Sequence, residues 1–230
     1  MATETISSAV HDMVRASLWA RELDEAQLLA LVPTLVEREI HTGGYVCRKG
    51  EPVDYWIGVV DGLVKLSTTS REGRSATFAG LRAGAWFGEG SLLKTEPRRY
   101  DAIALCETLV VCMPRATFER LCETSLAFNR HLVRELNARC GQFIAMLENE
   151  RLLDRDARVA HNLSALFNAQ QYPRPDLHIE ISQAEIGNLS GLSRQHVNKA
   201  LHALERQGLL DVDYRGITIR DLAGLQNYGA

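Results

Sequence analysis

The sequence has little that would support a disulfide framework, a zinc site or a membrane span. Its five cysteines are scattered, odd in number and without a CxxC pair, which fits a reducing cytoplasm. They are Cys47, Cys106, Cys112, Cys122 and Cys140. No apolar run reaches the roughly 20 residues that a transmembrane helix needs. Residues 1–23 carry several charges and have no apolar core, so we expect no secretory signal there.

Strong charge and enzyme motifs are also missing. The formal net charge is -3, with 24% charged and 46% hydrophobic residues, which is typical of an ordinary globular protein. Gly88-Glu89-Gly90-Ser91 lacks the spacing and the lysine of a P-loop, and HExxH is absent. The histidines show no close ligand spacing. We therefore predict no catalytic residues, no metal site and no enzyme activity.

Hydrophobic patterning divides the chain into four stretches, of which the first two differ sharply. Residues 5–36 are predicted to be helical, with Asp24 as an N-cap and Pro33 bending or breaking the run. Residues 37–115 alternate in short segments punctuated by glycine, which favours a small barrel or jelly roll. The candidate strands are 45–47, 55–60, 63–67, 75–78, 101–105 and 108–113.

A second helical stretch covers residues 115–151. Five of its apolar residues are spaced 3, 4, 3 and 4 apart, which is the seam spacing of a coiled coil. They are Val133, Leu136, Cys140, Phe143 and Leu147. One helix packing on its own domain would explain the stripe more simply. We favour a dimer seam, because the stripe lies between two candidate domains.

The last stretch, from about residue 153, contains two short helical patterns. An amphipathic helix over 159–167, a loop at 170–175 and a strand at 177–181 precede them. Ser182 and Glu185 have the spacing of a capping box. Gly187 is small, as a close helix crossing requires, and Gly191 can adopt the positive φ of a tight turn. The sequence therefore predicts a helix-turn-helix.

The second helix of this motif carries polar residues on its outer face. Ser193 is a plausible N-cap, Gly208 ends the helix, and Tyr214-Arg215-Gly216 marks a hairpin after it. Arg can read guanine, Gln and Asn can read adenine, and Lys neutralises phosphate. We interpret this face as a DNA-reading surface; a solvated face on an ordinary helical hairpin is the alternative. The predicted DNA-binding residues are Ser193, Arg194, Gln195, Asn198, Lys199 and His202.

The segment "ISQAEIGNLSGLSRQHVNKALHALERQGLL", residues 181–210, resembles the DNA-binding segment of the CRP/FNR transcription regulators. With the β-rich stretch and the long helix, the resemblance covers about residues 23–219. It implies an α+β fold with three parts: a cyclic-nucleotide-binding-like β-roll or jelly-roll sensor, a dimerisation helix and a winged helix-turn-helix. The family's specificity residues fall on Arg194, Gln195 and Lys199. Many members have Glu where this chain has Gln195, which implies a different half-site.

A second motif, "WFGEGSLLKTEPRRYDAIAL" at residues 86–105, is similar to the phosphate-binding cassette of the family's sensors. There a short helix start, a Glu and an Arg-Ser pair hold a cyclic nucleotide. Glu89 matches the Glu and Arg99 the Arg, whereas Tyr100 and Asp101 replace the Ser and the small residue after it. The candidate effector-binding residues are Gly88, Glu89, Gly90, Ser91, Arg98, Arg99 and Tyr100.

These departures disfavour cyclic AMP as the effector. Counting back along the long helix puts Phe143 and Ile144 where the cyclic AMP receptor has adenine-contacting hydroxyls. Arg98 and Arg99 could still serve a cyclic dinucleotide or another anion. No cysteine precedes Cys47, so we expect no iron–sulfur cluster, and haem is left open.

We predict a cytoplasmic, homodimeric transcription regulator that binds a palindromic site on double-stranded DNA. RNA polymerase is a further expected partner. The predicted domains are a sensor at 1–114, a dimerisation region at 115–152 and a DNA-binding domain at 153–230. Three alternatives remain: a regulator responsive to cyclic AMP or a cyclic dinucleotide, a constitutive DNA binder with a vestigial sensor, and an effector-binding module whose C-terminal domain binds protein.

Overall fold

The computed structural model describes residues 6–73, 75–167 and 177–229. The loop predicted at 170–175 lies outside the described residues. The chain forms two compact units, residues 1–64 with 81–140 and residues 65–80 with 141–230. Helices and strands are mixed in the α+β manner that the sequence predicts. Within the described ranges, no helix is long and apolar enough to cross a bilayer.

The helices and strands alternate unevenly along the chain. The helices are α1 (Ser8–Ala16), α2 (Glu25–Leu31), α3 (Glu89–Lys94), α4 (Arg115–Thr124), α5 (Leu126–Leu152), α6 (Arg155–Ala165), α7 (Gln183–Ser190), α8 (Arg194–Arg206) and α9 (Leu222–Gln226), with 3-10 turns at Ala20–Glu22 and Val32–Thr34. The strands are β1 (Val36–Ile40), β2 (Tyr45–Cys47), β3 (Tyr55–Asp61), β4 (Leu63–Thr69), β5 (Ser75–Arg82), β6 (Trp86–Phe87), β7 (Asp101–Ala104), β8 (Thr108–Pro114), β9 (His178–Ile179), β10 (Leu210–Val212) and β11 (Ile217–Ile219).

In the part of the chain that the structure describes, the strands build three sheets. The orders are β1-β8-β3-β6, β2-β7-β4-β5 and β10-β11-β9. In the first sheet, β1 pairs with β8, and β3 pairs with both β8 and β6, all antiparallel. The third sheet is the hairpin after α8 with β9 added along one edge. Antiparallel pairing between short strands is what the glycine-punctuated alternation predicts.

All six candidate strands exist, although most run longer than predicted; among the described elements, the sequence analysis missed β1, β6, α3 and α9. β1 carries Glu37, Arg38 and Glu39 at the edge of its sheet, where charged side chains remain in water. The sequence analysis did not predict β1, because its charged residues break the apolar alternation of a strand and it begins where the predicted helical stretch ends. Strand β6 has two residues and helix α3 has six, so both are too short to show a hydrophobic periodicity in the sequence.

Aromatic side chains form the core of the first unit. Trp19, Trp56, Trp86, Phe118 and Phe128 are buried, and their ring centroids lie 4.5 to 5.9 Å apart, mostly edge to face. These residues come from β3, β6, α4, α5 and the segment after α1. The cluster therefore fixes the start of α5 against the first sheet.

The helical stretch predicted at 115–151 is interrupted at Ser125. This residue is extended, with φ -122° and ψ 104°, and its Oγ accepts a hydrogen bond of 3.1 Å from the Phe128 amide. Ser125 thus ends α4 and caps α5. The sequence offers no proline or glycine at this point, so the interruption depends on a serine cap that hydrophobic spacing does not show.

In the second unit, α8 packs against α6 and α7. The inner face of α8 consists of Val197, Ala200, Leu201 and Leu204, which are all buried. Three apolar-faced helices followed by the β10–β11 hairpin make the winged helix-turn-helix that the sequence predicts. This packing leaves the opposite face of α8 exposed.

Candidate DNA interface and sensor site

The turn between α7 and α8 depends on its glycines. A Cβ on Gly187 would lie 2.6 Å from the Leu192 carbonyl oxygen, so only glycine allows the two helices to approach this closely. Gly191 has φ +63° and ends α7 in the left-handed region. Both roles agree with the sequence analysis. Together they set the angle at which α8 leaves the turn.

The capping box predicted at Ser182 and Glu185 is only half formed. Ser182 Oγ accepts from the Glu185 amide at 3.2 Å, as an N-cap should. The Glu185 carboxylate turns instead to Lys65 Nζ at 2.7 Å, within the same unit, and accepts from Asn188 Nδ2 at 3.3 Å. Because the half-buried lysine is the stronger partner, it draws the carboxylate away from the Ser182 amide.

The outer face of α8 carries the predicted DNA-binding residues. Ser193, Arg194, Gln195, Lys199 and His202 are exposed. In the described part of the chain, no ion pair engages Arg194 or Lys199, so both cations face solvent. This face can donate to base edges and phosphates.

Three of the predicted residues have intramolecular partners among the described residues, and the first is Ser193, whose Oγ lies 3.0 Å from His196 Nδ1. Asn198 is half buried, and its Oδ1 accepts from Gln183 Nε2 at 3.1 Å. His202 Nδ1 lies 3.5 Å from a Glu205 carboxylate oxygen. Asn198 therefore has less freedom to read a base than Arg194 or Gln195.

A residue that the sequence analysis did not single out, His196, lies in the first turn of α8. Its Nδ1 is 3.0 Å from Ser193 Oγ, and its Nε2 is 2.8 Å from Arg155 Nη1 on α6. Arg158, also on α6, donates to the Ser190 carbonyl at 2.6 Å. These contacts fix the first turn of α6 beside the helix-turn-helix, a juxtaposition that sequence spacing does not reveal.

The hairpin after α8 ends in an exposed aromatic. Asp213 accepts from the Arg215 and Gly216 amides at 2.7 and 2.8 Å, which closes the turn and lowers the pKa of Asp213. Strand β10 therefore ends at Val212, directly before this turn. Tyr214, at the tip, is fully exposed.

The sensor candidate in the first unit centres on Glu89. Gly88, at φ +95°, ends β6 and starts α3, which brings the Glu89 side chain into the interior with 3% of the residue exposed. One carboxylate oxygen lies 2.8 Å from Arg139 Nη1, and the other accepts from Trp56 Nε1 at 3.3 Å. Arg139 also donates to the Trp86 carbonyl. Arg139 was not predicted; only its place near the middle of a long helix could have suggested it.

The two adjacent arginines of this motif point in different directions. Arg99 is exposed and pairs with Glu96 at 2.7 Å, which lowers the pKa of Glu96. Arg98 is buried and donates from Nη2 to the Tyr55 carbonyl at 2.6 Å. Its Nη1, beside Gly88, has no hydrogen-bond partner among the residues that the structure describes. The structure thus brings Arg98, not Arg99, to the helix that carries Glu89. If Arg98 corresponds to the arginine of the family's Arg-Ser pair, Arg99 follows it; if Arg99 does, Tyr100 follows it. In neither case does a serine follow the arginine.

The remaining effector candidates line the same region. Ser91 is buried and Gly90 half buried on α3. Burial raises the pKa of Tyr100, and the nearby Glu89 carboxylate adds to the effect. Its phenol therefore stays neutral and can donate a hydrogen bond near Glu89. In the described ranges, no group of three or more His, Cys, Asp or Glu side chains is placed to hold a metal ion.

Comparison with known proteins agrees with both the sensor region and the helix-turn-helix. Residues 37–125 match the cyclic nucleotide-binding domain, and residues 157–228 match the Crp-like helix-turn-helix domain. The chain is 32% identical over 200 residues to the HTH-type transcriptional regulator Cmr of Mycobacterium tuberculosis, covering 86% of this chain and 78% of Cmr. The chain belongs to the CRP/FNR family of transcription regulators.

Other relatives of this CRP/FNR regulator also match it over most of its length. It is 30% identical over 170 residues to the cyclic AMP receptor protein of Thermus thermophilus, covering 73% of this chain and 76% of that one. FixK2 from Bradyrhizobium japonicum has the same fold, with a TM-score of 0.71 at 24% identity, covering 85% of this chain and 98% of the other. Helix-turn-helix regulators of this family bind DNA and act as dimers.

The stripe predicted as the dimer seam is open to solvent on this single CRP/FNR chain. Val133, Phe143 and Leu147 are 66%, 45% and 50% exposed, Cys140 is exposed and Leu136 is half buried. Ile144, beside the stripe, is 65% exposed. A contiguous apolar surface on one long helix is typical of a helix that pairs with a second copy.

Proposed function

We propose that this chain regulates transcription as a homodimer, with one α8 from each protomer reading a half-site of a palindromic duplex. The observation that carries the proposal is the first turns of α8, where Arg194, Gln195 and Lys199 are exposed together on a helix fixed from beneath by α6 and α7. In helix-turn-helix proteins these turns enter the major groove. Two such helices would be spaced by one helical turn of DNA, about 34 Å.

The direct test is selection of binding sites from random duplexes by the full chain, followed by titration of the best one. Recovery of a two-fold symmetric sequence would support the proposal. Failure to retain any duplex, with capture of a protein partner by the C-terminal region, would favour the rival role as a protein-binding module.

Arg194→Ala is expected to weaken binding to the selected site by about 1–3 kcal/mol and to relax specificity at one base position. The reason is the loss of a bidentate contact to a base edge. Fluorescence anisotropy on the selected duplex and its single-base variants measures both effects. Lys199→Ala is the comparison: if Lys199 mainly contacts phosphate, its loss should weaken binding to all duplexes about equally. Equal affinity of wild type and Arg194→Ala would contradict the assignment.

We further propose that the region around Glu89 and Arg98 is the effector site and that the effector is an anion of nucleotide type. The match to cyclic nucleotide-binding domains supports this, as does the buried, unpartnered Nη1 of Arg98. Gly88, Gly90 and Ser91 would present backbone and hydroxyl donors, and Tyr100 its phenol. A cyclic dinucleotide or another anion is a better candidate than cyclic AMP, because the cationic Arg98 suits any anion whereas Tyr100, Phe143 and Ile144 do not suit a cyclic AMP site.

Cyclic AMP is accordingly expected to change DNA affinity less than tenfold, or about 1.4 kcal/mol of coupling. Tyr100 occupies space beside Glu89, and Phe143 and Ile144 are apolar where the resemblance places hydroxyls. Calorimetry with cyclic AMP, cyclic GMP and cyclic dinucleotides on ligand-stripped protein tests this. For any anion that binds, Arg98→Ala should remove binding and Arg99→Ala, its surface neighbour, should not. Low-micromolar cyclic AMP binding coupled to DNA affinity would contradict the expectation.

A constitutive DNA binder with a vestigial sensor is the second candidate. The observation that favours it is that both carboxylate oxygens of Glu89 already have partners, Arg139 and Trp56. DNA affinity that no tested anion changes would select this candidate over the effector-controlled one.

The same proposal places the chain in the cytoplasm, where a regulator meets DNA and RNA polymerase. It assigns no catalytic residue and no iron–sulfur cluster. We propose that the chain is divided into a sensor at 1–114, a dimerisation region at 115–152 and a DNA-binding domain at 153–230. The proposed dimer seam consists of Val133, Leu136, Cys140, Phe143 and Leu147.

A further inference from the structure

Arg155 is the first residue of α6, and its guanidinium lies against the first turn of α8. Nη1 is 2.8 Å from His196 Nε2. The helix that carries it is fixed to the end of α7 by the bond from Arg158 to the Ser190 carbonyl, at 2.6 Å. Arg155 is therefore held beside the part of the recognition helix that Arg194 and Gln195 occupy.

The hydrogen bonds define the protonation of His196 in this arrangement. An arginine has only donors, so His196 Nε2 must be the acceptor and carry no proton. The ring proton is then on Nδ1, which donates to Ser193 Oγ at 3.0 Å. Ser193 is the N-cap of α8. A neutral His196 thus links the guanidinium of Arg155 to the cap of the recognition helix.

Within the described ranges, no anion competes for the remaining donors of Arg155. Among the residues the structure describes, no carboxylate forms an ion pair with Arg155, and the preceding Asp154 caps the Ala157 amide at 2.9 Å. Arg155 is also exposed. Its free N–H groups are available to a ligand that approaches α8.

When a recognition helix enters the major groove, the phosphates at the rim of the groove lie beside its first turns. Phosphate oxygens are the anions that a planar guanidinium binds best. We infer that Arg155 is a DNA phosphate contact outside the helix-turn-helix, with His196 as its positioning residue. This inference rests on the proposed function, which it deepens by adding α6 to the DNA interface.

The test measures the salt dependence of DNA binding by the full chain. Arg155→Gln should weaken binding to the selected duplex and to a scrambled duplex by the same factor, about tenfold, because a phosphate contact carries no sequence information. Each contact contributes about 0.9 to the slope of log K against log salt, so a dimer that loses two contacts should lose about 1.8. Arg155→Lys keeps the charge and should keep the slope. Arg15→Gln, which removes the same charge from a surface residue paired with Glu25, is the control and should change neither quantity.

His196 is tested by a cycle of variants. His196→Leu removes the acceptor and should lower affinity in the wild-type background but not in Arg155→Gln, whereas His196→Gln keeps an acceptor and should bind within about twofold of wild type. Wild-type binding combined with an unchanged slope in Arg155→Gln would overturn this inference alone. Wild-type protein that binds no duplex would overturn the proposed function itself. Equal losses from His196→Leu in both backgrounds would overturn its positioning role.

Discussion

Phe143→Asp is expected to convert the dimer into monomers at micromolar concentration. Phe143 is 45% exposed on the single chain, in the middle of the apolar stripe on α5. Burying a phenylalanine contributes about 1.5–3 kcal/mol, and a two-fold seam buries it twice. Replacing it with aspartate also places a pair of like charges in the seam. The combined loss of roughly 3–6 kcal/mol raises the dimer dissociation constant about a hundredfold or more.

Light scattering and sedimentation of the two proteins measure this directly. Ala145→Asp is the matched control, since Ala145 is exposed on the same helix about 160° away from the centre of the stripe by the helical repeat. It introduces the same charge outside the seam and should leave the dimer intact. An intact Phe143→Asp dimer would show that α5 pairs through another face. DNA affinity should fall in parallel with dimerisation, because a monomer contacts only one half-site.

The DNA-binding half of the molecule was predicted well because its determinants are local. The positive φ of Gly191, the close crossing at Gly187 and the cap at Ser193 each involve residues within one or two turns of each other. The alternation of the β-roll strands is local in the same sense. Sequence spacing is sufficient to predict a contact wherever the two partners lie three to six positions apart.

The sequence analysis failed where a tertiary contact decided the outcome. Nothing in Pro97-Arg98-Arg99 tells which arginine is buried; the answer depends on the Tyr55 carbonyl, 43 residues away, which accepts from Arg98. Glu185 leaves its capping box for Lys65, 120 residues away. Arg155 and His196, 41 residues apart, meet only because α6 packs on α8. Pairings of this kind leave no periodic trace.

The pair between Arg139 and Glu89 is the most buried ion pair among the described residues, and we expect its loss to destabilise the fold strongly. Glu89 is 3% exposed, and Arg139 Nη1, at 2.8 Å, is its cationic partner. Removing one member of a buried ion pair leaves an uncompensated charge, which typically costs about 3–5 kcal/mol. Arg139→Met keeps most of the apolar stem and deletes only the charge and its donors. Chemical denaturation should therefore show a loss of about 3–5 kcal/mol in the free energy of unfolding.

The double variant Glu89→Gln with Arg139→Met separates this charge effect from loss of packing. If the unpaired carboxylate is the cause, removing it as well should restore a large part of the stability, with a coupling energy of about 1–3 kcal/mol between the two positions. Arg130→Met, an exposed arginine on the same helix, should change stability by less than about 0.5 kcal/mol. A loss in Arg139→Met that the second substitution does not reduce would show that the stem of Arg139, and not its charge, stabilises the Glu89 region. That outcome would also mean that the ion pair with Arg139 does not explain why the Glu89 carboxylate can be buried beside Trp56.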